Sequence, residues 1–84
     1  MARHSHRFVE TYHGLVGFGA DRETDEKAVV YYLQKFSDDD LMGTLIGRLS
    51  DVELEEIFVL LTRLLRAHLS EQEYHDLFLK DDPA

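Results

Sequence analysis

Cysteine is absent from this 84-residue chain, so neither a disulfide nor a thiolate-bound metal can staple its fold. No apolar run approaches the roughly 20 residues of a membrane-spanning helix. Met1 to Arg7 is polar and lacks the apolar stretch of a secretory signal, so a cytoplasmic protein is expected. Basic charge is scarce, with nine Lys and Arg against seventeen Asp and Glu and a net charge of -8.

That charge is unevenly placed. Residues 1–22 hold three arginines against two acids, a net of +1, while residues 23–84 hold six basic against fifteen acidic side chains, a net of -9. An acidic body repels phosphates at long range, so neither nucleic acid nor an anionic membrane is an expected partner. The excess acid also keeps a small protein soluble.

The usual catalytic signatures are missing as well. Gly14, Gly17 and Gly19 do not space as G-x-G-x-x-G, and no Gly-Lys-Ser/Thr follows them. There is no G-x-S-x-G around a serine. Acids cluster at Asp38, Asp39 and Asp40 and again at Glu53, Glu55 and Glu56, but they lack the alternating ligands and central glycine of an EF-hand. Acids gather at helix starts for stability alone. No enzyme class and no cofactor is indicated.

What the chain does contain is helix punctuation. Ser37 precedes Asp40, Ser50 precedes Glu53 and Ser70 precedes Glu73, each pair spaced as a capping box. In that motif the hydroxyl accepts an orphan backbone N–H, and the acid accepts the N-cap amide in return. Three helices are expected from these starts: Ser37 to about Leu49, Ser50 to about Leu69, and a short one from Ser70. The middle one is the longest, with Leu54, Ile57, Phe58, Leu61, Leu64, Leu65 and His68 in the pattern of a buried stripe. In the last, Tyr74, Leu77 and Phe78 should face inward. In the first of the three, Leu41, Met42, Leu45, Ile46 and Leu49 make the stripe.

Two further helices precede them. Residues 5–16 place Phe8, Val9, Tyr12, Leu15 and Val16 on one helical side, with Ser5 as the cap. Gly17 to Arg22 reads as a loop, and Asp21 or Thr24 then caps a second helix with Ala28, Val29, Tyr32, Leu33 and Phe36 inward. The expected fold is one all-α domain over residues 1–84, a small bundle of four to five short helices around one longer helix. Residues 1–4 and 81–84 are expected to be disordered termini.

A chain of this length buries only about 60–65% of its unfolded surface, so its core is marginal unless a further face is covered by an oligomer. Val30, Tyr31, Val52 and Val59 lie off the main stripes, and exposed apolar clusters tend to mark interfaces. Gly43 and Gly47 share a helix side four residues apart, a pattern that permits close approach by another helix or by a bulky side chain such as Tyr31 or Phe18. The expected interface is therefore Val30, Tyr31, Gly43, Gly47 and Val59, and the expected function is non-enzymatic. It is a small protein–protein interaction module, self-associating as a homodimer or acting as an accessory subunit.

Two alternatives follow from other residues. The acidic body suits a regulator that occupies a basic, nucleic-acid-binding surface of a partner protein. His68, Glu71 and His75 offer two imidazoles and a carboxylate to a metal, although the cap at Ser70 interrupts the helix between them. No metal site is expected on balance.

Overall fold

The structure is a computed structural model that describes residues 6–14 and 16–81. Ser5 as a cap, Leu15 of the first stripe and the termini expected to be disordered, apart from Asp81, lie outside the described residues. The chain is all-α: 76% of the described residues are helical and no strand occurs among them. Its helices are α1 (Arg7–Thr11), α2 (Arg22–Phe36), α3 (Asp39–Leu45), α4 (Asp51–His68) and α5 (Glu71–Glu73). A 3-10 turn, Ile46–Arg48, follows α3, and a π-helical segment, Tyr74–Leu79, continues α5. Two compact units are distinguished, Met1–Arg48 and Leu49–Ala84.

In the first unit α1 is shorter than the expected helix over 5–16. His6 precedes it without a side-chain cap, and the backbone turns extended at Tyr12, at φ -79° and ψ 123°. The Tyr12 ring stacks on Phe8 at 5.0 Å and meets Tyr31 edge-on at 6.1 Å. Gln34 accepts the Val9 N–H at 3.0 Å, which ties α1 to α2 through a side chain.

These contacts select the covered side of α2. Ala28 is buried and Tyr31 and Gln34 are half-buried, whereas Val29, Tyr32, Leu33 and Phe36, expected inside, are exposed. The reason is that α1 docks by an aromatic edge and a hydrogen bond, not on the most hydrophobic strip. Asp21 is the α2 cap: it accepts the Thr24 N–H at 2.8 Å and the Thr24 hydroxyl at 3.1 Å. Those bonds, the backbone one foremost, hold its carboxyl below the usual carboxylate range.

The start of α3 also departs from expectation. Asp38, not Ser37, is its N-cap, and accepts the Asp40 N–H at 3.2 Å. Ser37 is instead the C-cap of α2, donating its backbone N–H to Leu33. With an aspartate adjacent, the stronger acceptor takes the capping role. The helix ends at Leu45 as well, short of the expected Leu49.

In the second unit the two remaining capping boxes form as the sequence predicts. Ser50 accepts the Glu53 N–H at 3.1 Å while Glu53 accepts the Ser50 N–H at 2.9 Å. Ser70 and Glu73 repeat the arrangement at 3.1 and 2.8 Å. Leu69, extended between α4 and α5, lets one helix end one residue before the next cap. The expectation of a packed α4 stripe fails, since Leu61 is 47% and Phe58 70% exposed. Only Ile57, Thr62 and Leu65 of α4 are even half-buried. Leu77 and Phe78, also expected inside, are exposed, and Tyr74 is half-buried.

Candidate functional site

Apolar residues of α4 and of the π-helical segment line two grooves in the second unit. A groove of about 590 Å³ runs between Phe58, Thr62 and Leu65 of α4 and Tyr74 and Phe78 beyond the Ser70 cap. Tyr74 and Phe78 stack at 5.2 Å, one above the other, and give that groove an aromatic wall. An adjoining groove on the Leu61, Leu64 and Phe78 side, about 480 Å³, is almost wholly apolar. Such concave apolar surfaces accept side chains of another helix more readily than they accept a charged ligand.

The π-helical segment ends at Lys80, whose φ of 53° reverses the chain in the left-handed region. That reversal returns Asp81 to His75, with His75 Nδ1 donating to the carboxylate at 2.9 Å. The bond, with the nearby Asp81 charge, raises the His75 imidazole above its ordinary value. His75 is thereby engaged by Asp81. Among the described residues, no group of three or more His, Asp or Glu side chains is arranged to hold a metal ion, so His68, Glu71 and His75 do not assemble as one site.

The residues expected at an interface are spread over both units. Val30 is 39% exposed and lines a shallow groove with Phe18, Arg22 and Val29 in the first unit. Tyr31 is half-buried, its ring against Tyr12 and beneath Lys35 Nζ at 5.2 Å. Gly43 lies in α3, but Gly47 lies in the 3-10 turn, where a different residue rotation breaks the shared helix side. A Cβ added at either glycine would meet no heavy atom within 4 Å, so neither admits Tyr31 or Phe18. Val59 stands exposed on α4.

Two contributions escaped sequence reasoning. The Gln34 bond to Val9 is a contact across 25 residues with no local signal. The π-helical turns after Glu73 have no proline or glycine to announce them. No protein-family model matches the chain, and no curated protein or solved structure is significantly similar to it.

Proposed function

We propose that this chain is a cytoplasmic, non-enzymatic protein–protein interaction module that associates with itself as a homodimer, or serves as an accessory subunit. The observation that supports this reading is the exposure of α4. Leu54, Phe58, Leu61 and Leu64 repeat at helical spacing and all remain open to solvent. Only Val9 and Ala28 are buried hydrophobic residues among those described. An apolar helix face of this kind is stabilised by covering it. No helix among the described residues is long and apolar enough to cross a membrane.

A second reading has its own support in charge. Residues 49–84 carry nine acidic against three basic side chains, which suits an acidic regulator on a basic surface. Salt separates the two. Apolar self-association persists in roughly 0.5 M salt, where exposed charge pairs are largely screened. Sedimentation equilibrium at micromolar concentration, in low and high salt, is the test. A dimer that survives salt supports the first reading, and a monomer at every concentration contradicts self-association.

A further inference from the structure

Along α4 the charges are sorted by sign. Asp51, Glu53, Glu55 and Glu56 occupy its first turns, and Arg63 and Arg66 its last. On α2, by contrast, opposite charges lie one turn apart and pair within the helix, Arg22 with Glu26 at 2.7 Å and Lys27 with Glu23 at 3.2 Å. Glu56 and Arg63 share a side of α4 but stand about 10 Å apart along its axis, too far to pair within one helix. Neither they nor Arg66 make a hydrogen bond or ion pair among the described residues.

Their surroundings are apolar. At about 100° per residue, Val52, Glu56, Val59, Leu60, Arg63 and Ala67 fall within one sector of roughly 100°, largely opposite the Leu61 stripe. All six are exposed, Val52 at 64% and Val59 at 54%. A shallow groove of about 400 Å³ runs along the N-terminal part of this sector. The sector is thus exposed and faces away from the Leu61 stripe.

The sector is also self-complementary when reversed. About the midpoint between Val59 and Leu60, Val52 mirrors Ala67, Glu56 mirrors Arg63, and Val59 mirrors Leu60. Apolar residues mirror apolar ones, and acid mirrors base. A two-fold interface demands such a surface, because each copy presents the same patch to the other. We infer that α4 pairs antiparallel with α4 of a second copy of this chain, through a two-fold axis between Val59 and Leu60. Each Glu56 then faces the partner's Arg63, within a seam of valine, leucine and alanine. Glu53, already held by its own cap, leaves Arg66 a secondary, outer role. A parallel pair would set Glu56 on Glu56 and Arg63 on Arg63, and would align the two helix dipoles unfavourably.

The inference rests on the self-association proposed above and seats it on the sector opposite the Leu61 stripe, which the pairing itself leaves open. Glu56→Arg and Arg63→Glu, each alone, place like charges opposite each other twice per dimer. Sedimentation velocity should show each single variant dimerising at least roughly tenfold more weakly than the wild type. Mixed in equal amounts, the two variants restore opposite charges at both positions, so dimer mass should return. The double variant E56R/R63E should restore it within one chain. Both positions are exposed, and far-UV circular dichroism on each variant checks that helix content is kept; unfolded chains could not regain a dimer on mixing. A dimeric wild type whose single variants associate as tightly overturns the α4 pairing and leaves self-association standing. A wild type monomeric at every concentration overturns both, and leaves the face to a different protein.

Discussion

His75 and Asp81 are joined by a 2.9 Å hydrogen bond across the left-handed turn at Lys80. The contact closes the π-helical segment on itself, and it favours the protonated imidazole. The folded-state pKa of His75 lies above the ordinary value of 6.5, chiefly through that bond. Its stabilising contribution is therefore complete below about pH 6.5 and is lost as pH rises through the elevated folded value. A histidine NMR titration should place the His75 midpoint above the ordinary imidazole value of 6.5. Asp81→Asn should bring it back toward the ordinary value, and an unmoved midpoint would contradict the contact.

The caps give a ranked expectation. Ser50→Ala removes the acceptor for the Glu53 N–H and should cost about 1 kcal/mol. Asp38→Ala should destabilise α3 more than Ser37→Ala does, because Asp38 accepts the Asp40 N–H. Chemical denaturation of the three variants orders them, and a larger loss at Ser37 would reverse the cap assignment.

Leu61 is only about half covered. Leu61→Ala should then cost about 1 kcal/mol, less than the roughly 2–5 kcal/mol of a packed leucine. Urea denaturation at low concentration reads the difference. A loss near the top of that range would mean that the Leu61 side is fully covered in the protein.

Gly43 lies inside α3 with open space where a Cβ would go. Gly43→Ala should stabilise the chain by about 0.5–1 kcal/mol, since alanine loses less backbone entropy in a helix. Association should be unchanged if α4 carries the contact. Weaker association in this variant would return Gly43 to the interface.

What the sequence announces is what short-range chemistry decides. The Ser50–Glu53 and Ser70–Glu73 boxes lie within three residues of chain, so their spacing was enough to place them. The same spacing at Ser37 misled, because Asp38 beside it is a better acceptor and claims the helix start. Burial was legible far less well. Tyr31, off the most hydrophobic strip of α2, is on the covered side because Tyr12 and Gln34 determine how α1 docks. Val29 and Leu33, on the strip, are exposed for the same reason. The sign-sorted charges of α4 are plain in the residues themselves, yet that Glu56, Arg63 and Arg66 have no side-chain partner among the described residues needed the structure. Val59, expected at an interface from its position off the stripe, stands exposed between those charges.

Self-association is the central claim, and the mass of the wild-type protein in solution tests it most directly. Sedimentation equilibrium over a range of micromolar concentrations should find a species of twice the 9.8 kDa chain mass, with dissociation on dilution. A single species of 9.8 kDa at every concentration would contradict the account.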